Sequence, residues 1–183
     1  MIVIISGTNR PDSNTRKVTA HLEGIYKAMG VKTHLLDLAI LPPEIFSPAS
    51  YGAKPAGFAK FTDAILGADG LVVVTPEYNG GRPGILTYFI DMLPFPESFE
   101  NRPVCFVGVS AGIWGAIRPI EQLQAIFGYR NAFNYPERVF MPNIHKLLDA
   151  SGKVTDAELA GRLAKQAEGY IAFVEKLRAK KLK

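Results

Sequence analysis

Cysteine is almost missing from this 183-residue chain, which has one, Cys105. A single thiol closes no internal disulfide and supplies no Cys-based zinc or iron–sulfur site. Histidine is nearly as scarce. His21, His34 and His145 are far apart in sequence, so solvated or capping roles are expected for them rather than a His-rich metal site. No apolar run approaches the roughly 20 residues that a membrane-spanning helix needs. Met1–Ile5 is too short for a signal peptide and has no basic start. An excess of one charge is also missing from most of the chain. Lys and Arg number 21 against 17 Asp and Glu, a net charge of +4. Residues 175–183 (EKLRAKKLK) hold five basic residues and one acidic residue, which accounts for the whole excess. The preceding 174 residues carry sixteen of each sign. A basic tail on a neutral body does not point to nucleic acid. These absences leave an expectation of a soluble, cytoplasmic protein with a reduced thiol, and of no nucleic-acid or membrane partner.

What is present is an ordinary apolar fraction, 48%, and a length suited to a single domain over 1–183. Met1–Ile5, Leu71–Thr75 and Val104–Val109 are continuous apolar runs rich in β-branched residues. Runs without alternation read as strands buried on both faces of a parallel sheet. Thr33–Leu38 is a plausible fourth strand. Ala132–Met141 is a fifth, with Pro136 placing it at an edge or a break. Helical spacing appears between the runs: Val18, Leu22, Ile25 and Met29 before the stop at Gly30; Phe58, Phe61, Ile65 and Leu66; Ile85–Leu93; and Ile117–Phe127. Thr155–Glu158 (TDAE) fits a capping box ahead of a long final helix. Strands and helices thus alternate in units of roughly 30 residues, the pattern of right-handed βαβ crossovers. The expected fold is a doubly wound α/β domain. Residues 39–57 form one long irregular stretch rich in proline.

Ligands of open α/β sheets bind beyond the carboxyl ends of the strands. Three loops occupy that position. Ser6–Thr15 (SGTNRPDSNT) follows the first strand and opens a helix. Its hydroxyls, amides, Arg10 and helix-start N–H groups suit an anion, although Ser, Thr and Asn also serve as plain helix caps. Thr75–Gly84 (TPEYNGGRPG) offers an aromatic face, an amide and a flexible Gly80-Gly81 pair. Ser110–Gly115 (SAGIWG) carries the only tryptophan, Trp114, which suits either a wall for a planar ligand or a subunit anchor. Several chemistries are absent. No G-x-G-x-x-G follows the first strand, and no G-x-x-x-x-G-K-[ST] occurs. Ser6-Gly7-Thr8 offers no acidic phospho-acceptor. Cys105 lies inside a strand, where a small buried hydrophobe is expected rather than a nucleophile.

Gly7–Thr15 resembles the phosphate loop of the NADPH-dependent FMN reductase family. Pro76-Glu77-Tyr78-Asn79-Gly80, with Pro83-Gly84 and Ile90-Asp91 downstream, is similar to that family's P-E-Y-N segment. The resemblance covers most of the chain in element order. It implies a flavodoxin-like fold, a five-stranded parallel sheet in the order 2-1-3-4-5. It also implies non-covalent FMN, with NADPH or NADH as co-substrate. Thr8, Arg10, Ser13, Asn14 and Thr15 would hold the FMN phosphate. Pro76, Glu77, Tyr78 and Asn79 would line the isoalloxazine, largely through backbone groups, and Ser110, Gly112 and Gly115 would border its other side. No catalytic side chain is implied, because the flavin carries the chemistry. The chain departs from the family pattern at Thr87-Tyr88, where Lys-Asn is usual. It also departs at Ala111, Ile113 and Trp114, which narrow the space near the flavin, and in the length of 39–57.

The implied activity is hydride transfer from NAD(P)H to FMN and reduction of a small-molecule electron acceptor such as a flavin, quinone or azo compound. The alternative is a flavin-binding electron carrier without NAD(P)H oxidation; a module that binds a different phosphate or has lost its cofactor is a third possibility. The Ile85–Leu93 helix is apolar around nearly its whole circumference and must bury two faces. One packs on the sheet. The other is expected to meet a second subunit in a homodimer or homotetramer, or else to lie beneath the 39–57 loop.

Overall fold

Three buried apolar runs and two strands of mixed composition form one parallel sheet, ordered β2-β1-β3-β4-β5. The strands are β1 (Ile2–Ser6), β2 (Thr33–Asp37), β3 (Gly70–Pro76), β4 (Pro103–Val109) and β5 (Phe133–Met141). The computed structural model describes residues 1–181. Five helices connect or follow the strands: α1 (Asn14–Ala28), α2 (Ala59–Leu66), α3 (Gly84–Met92), α4 (Ile117–Tyr129) and α5 (Ala157–Lys181). Every residue of β1, β3 and β4 is buried, which explains why these strands read as unbroken apolar runs.

Alternate residues serve opposite faces. Val3, Ile5, Leu71, Val73, Val104 and Phe106 meet α2, α3 and α4. Ile2, Ile4, Val72, Val74, Cys105 and Val107 meet α1 and α5. The first face is packed by phenylalanines: Phe58, Phe61 and Phe89 form one cluster, and Phe99, Phe106 and Phe127 another. The second face buries hydroxyls instead. The Tyr170 hydroxyl lies 2.8 Å from the Leu71 carbonyl and 2.9 Å from that of Pro103.

Pro136 marks a break in β5, which is an edge strand. Val104 pairs with Asn134 and Phe106 with Arg138, so three residues oppose Cys105 alone. Gln166 of α5 repairs the ladder there. Its Nε2 donates to the carbonyls of Phe106 and Glu137, both at 3.0 Å.

Two features differ from the sequence expectation. The cap of α5 is Asp156, whose Oδ1 accepts from Leu159 N at 2.8 Å, one residue beyond Thr155. Both side chains can cap, and the local turn decides between them. The 39–57 stretch is a series of short 3-10 turns: Leu38–Ile40, Pro43–Phe46, Pro48–Tyr51 and Ala56–Phe58. This segment covers the outer face of α3. The Tyr88 hydroxyl donates to the Ile45 carbonyl at 2.9 Å, and the Tyr88 ring packs on Phe46 and Tyr51 at 5.0 and 6.4 Å. The Tyr88 side of α3 is therefore partly covered within the chain. Phe46 and Tyr51 remain half or more exposed above it. The basic tail runs partly outside the described residues; inside them, Arg178 pairs with Asp69 at 3.3 Å.

Candidate active site

The loops after β1, β3 and β4 enclose a cavity of about 430 Å³ at the carboxyl edge of the sheet. The first loop leaves β1 in close contact with β3. Gly7 N donates to the Val74 carbonyl at 2.8 Å. A Cβ on Gly7 would lie 2.7 Å from that oxygen and 3.0 Å from Leu86 Cδ2, so only glycine fits. The chain turns through Asp12, which is left-handed at φ 51°, and Ser13 caps α1. Ser13 Oγ accepts from Arg16 N at 3.1 Å. The N–H groups of the first helical turn, beginning with Asn14 and Thr15, have no intrahelical partner. With the helix dipole behind them they form an anion cradle, and Arg10 stands exposed at its rim.

The second loop carries the opposite wall. Glu77 N donates to the Val109 carbonyl at 3.1 Å. Tyr78 and Gly81 exchange two backbone hydrogen bonds of 3.0 Å. Asn79 (φ 51°) and Gly80 (φ 72°) are both left-handed between them, the pattern of a tight I′-type turn. The two loops are joined by side chains. Thr8 Oγ1 accepts from Arg10 N at 3.1 Å and shares a 2.7 Å hydrogen bond with the Tyr78 hydroxyl. The Glu77 carboxylate faces two ways. Its Oε1 accepts from Arg118 Nη1 at 3.4 Å, while Oε2 is buried without a protein partner among the described residues. The pair is long and Arg118 is half exposed, so its net contribution is about 0–1 kcal/mol.

The third loop is pinned from below and open above. Ser110 N donates to the Met141 carbonyl, and Ile144 N to that of Ser110, both at 3.0 Å. Ser110 Oγ donates to the Gly112 carbonyl at 2.8 Å. Gly115 is left-handed at φ 59°, and a Cβ there would lie 2.8 Å from Phe140 Cβ. Ile113 and Trp114 project from this base, 70% and 59% exposed. A hollow of about 170 Å³ adjoins the cavity here, lined by Glu77, Gly80, Ser110, Ala111, Gly112 and Trp114. The Arg118 guanidinium lies over the Trp114 ring, 5.9 Å from its centroid.

Of the expected residues, Arg10, Ser13, Asn14, Thr15, Pro76, Glu77, Tyr78 and Ser110 line the main cavity together. Gly112 lines the adjoining hollow. Thr8, Asn79 and Gly115 line neither cavity. Thr8 is buried, with its hydroxyl turned to Tyr78. Asn79 supplies a turn conformation. Gly115 packs on β5. The lining also includes Ala111, expected to narrow the space near the flavin, and Pro11, Asp12, Val109 and Ile144, which sequence reasoning did not select. The position of Ile144, just beyond the end of β5, is the signal that could have found it. Cys105 is fully buried in β4, and that burial pushes its thiol far above the usual range. It takes no part in the site.

The family model for NADPH-dependent FMN reductase matches residues 1–146. The chain belongs to this family, and with it come oxidoreductase chemistry, FMN as cofactor and NAD(P)H as reductant. An NAD(P)H-dependent FMN reductase of Pseudomonas aeruginosa is 28% identical over 178 residues, 95% of each chain. A 2-hydroxy-1,4-benzoquinone reductase of Burkholderia sp. is 26% identical over 178 residues, covering 94% of this chain and 95% of its own. Among solved structures, the flavoenzyme NAD(P)H:acceptor oxidoreductase FerB of Paracoccus denitrificans superimposes with a TM-score of 0.80 at 24% identity. That match covers 96% of this chain and 97% of that one, and it shows the shared fold.

Proposed function

We propose that this single-domain protein uses NADPH or NADH to reduce a small-molecule acceptor, a flavin, quinone or azo compound, by way of FMN held in the 430 Å³ cavity. The observation that carries this reading is the pairing, in one cavity, of an anion cradle at the start of α1 with the Pro76–Tyr78 segment on the opposite side. A volume of this size lies within the usual range for ligand sites. Arg10, Ser13, Asn14 and Thr15 would hold the phosphate by charge and by N–H and hydroxyl donors. Pro76, Glu77 and Tyr78 would meet one side of the ring, and Ser110 with Ala111 the other. Thr8 acts one step removed, through the 2.7 Å bond that holds Tyr78 in place.

Bound FMN supplies two-electron transfer, so that NAD(P)H, a proton and a quinone yield NAD(P)⁺ and a hydroquinone. The residues of this chain orient the ring, exclude water from one side and leave the Trp114 side open. We also propose a cytoplasmic homodimer or homotetramer. Its support is the exposed Phe46 and Tyr51 pair beside α3, with the contact running over these rings and the partly exposed side of α3. A monomer at micromolar concentration in analytical ultracentrifugation would end that part of the proposal.

Anaerobic mixing of the FMN-loaded protein with NADPH and with NADH tests the activity. Bleaching of the flavin within seconds is the expected result. Flavin that binds but stays oxidised would show a carrier instead, and a protein that takes up no flavin would overturn the reading.

A further inference from the structure

The hollow beside the cavity adds Gly80, Gly112 and Trp114 to residues that also face the main cavity. Glu77, Ser110 and Ala111 line both spaces, so the hollow opens from the place assigned to the flavin ring. Its outer wall is Trp114, largely exposed and carried on a loop whose backbone is pinned beneath it. A rigid base under an exposed indole makes a stacking platform for a second planar ring.

Arg118 touches the two lining residues that differ most in character, the Trp114 ring and the Glu77 carboxylate. It sits in the first turn of α4, where the helix dipole also favours negative charge. Its tether to Glu77 is 3.4 Å long and half exposed to solvent, so it is easily given up for a better acceptor. A guanidinium lying over an indole, with a long bond to one carboxylate, has further N–H donors to offer a planar anion.

We propose that this hollow is the acceptor subsite and that Arg118 makes it selective for planar aromatic acceptors carrying a negative charge, such as ionised hydroxyquinones or aromatic carboxylates. The proposal rests on the reading of the neighbouring cavity as a flavin site. Glu77 sharpens the selection: its carboxylate repels an anion unless Arg118 is present, and Arg118 is the group that turns repulsion into attraction.

The test is a binding titration of the FMN-loaded protein without NAD(P)H, so no turnover is needed. Trp114 is the only tryptophan, and quenching of its fluorescence reports occupancy of the hollow. The probes are 2-hydroxy-1,4-naphthoquinone, which is anionic at neutral pH, and neutral 2-methyl-1,4-naphthoquinone. In Arg118→Gln the anionic probe should bind about tenfold more weakly, the scale of one charge-assisted hydrogen bond, while the neutral probe changes less than about twofold. Arg118→Lys should keep a large part of the preference, and Glu77→Gln should strengthen anion binding. Equal changes for both probes, no change for either, or a lysine variant as poor as the glutamine one would overturn the proposal. Failure of NAD(P)H to reduce the flavin would instead strike the reading of the main cavity, and this titration would still report on the hollow.

Discussion

The loops after β1 and β4 sit at the same edge of the same sheet and are built on opposite plans. The first turns its polar groups inward. Thr8 and Ser13 are buried, their hydroxyls bonded to Tyr78 and to the α1 backbone, and Gly7 is pressed against β3. The second fixes its backbone with Ser110, Gly115, the Met141 carbonyl and the N–H groups of Asn143 and Ile144, then projects Ile113 and Trp114 into solvent. One loop has a single arrangement that offers donors to a compact anion. The other is a rigid base with adaptable side chains on top. Binding a constant cofactor rewards the first plan, because every donor is placed before the ligand arrives. Reading varied acceptors suits the second.

Substitutions that separate the two loops should differ in what they damage. The largest effect is expected from Gly7→Ala, whose new methyl meets the Val74 carbonyl. Overpacking of this kind costs about 1–3 kcal/mol, and here the displaced backbone is the phosphate cradle. FMN titration should show a large loss of affinity together with a lowered melting temperature. The same change at Gly115 should lower stability by a similar amount through its clash with Phe140 and its positive φ, yet leave the phosphate half of FMN binding nearly intact. If both glycine variants lose flavin equally, the functional contrast between the loops is wrong.

Next in size is Ser13→Ala combined with Asn14→Ala. Loss of the cap costs about 1 kcal/mol, and removal of two donors from the cradle should weaken FMN binding by about tenfold or more. Unchanged FMN affinity would remove the phosphate assignment from this loop. A smaller effect is expected for Thr8→Val and Tyr78→Phe. Each breaks the 2.7 Å hydroxyl pair at about 0.5–1.5 kcal/mol. A double-mutant cycle read by thermal unfolding should be non-additive, since the two side chains share one bond. The smallest change in stability belongs to Trp114→Ala. An exposed side chain of this kind is expected to stay within about 0.5 kcal/mol, so any rise in acceptor KM reports recognition rather than folding.

The central strands were legible because burial on both faces leaves no alternation to obscure them. The two cradle loops were legible because they follow such strands directly. The break in β5 showed through Pro136, although the size of the bulge did not. What covers α3 was harder to read. A helix apolar all round states that two faces are buried and is silent on what buries the second, and Tyr88 meets Phe46 and Tyr51 from a segment without periodicity. Asp12 and Ile144 enter the cavity lining through turn geometry, which composition does not encode. Thr8 and Gly115 carried the right motif letters. Their side of the backbone, inward to Tyr78 and to Phe140, depends on φ and ψ values that the motif leaves open.

Cys105 lies at the centre of β4, fully buried and with ionisation strongly suppressed. Quinones are electrophiles that alkylate accessible thiolates. A protein that meets such electrophiles is exposed to covalent poisoning, and this chain presents them with no accessible thiol. The placement of its one thiol gives it chemical durability, a property separate from both catalysis and fold stability. It also means that a cysteine introduced on the surface would be the single site open to labelling while the sheet stays closed.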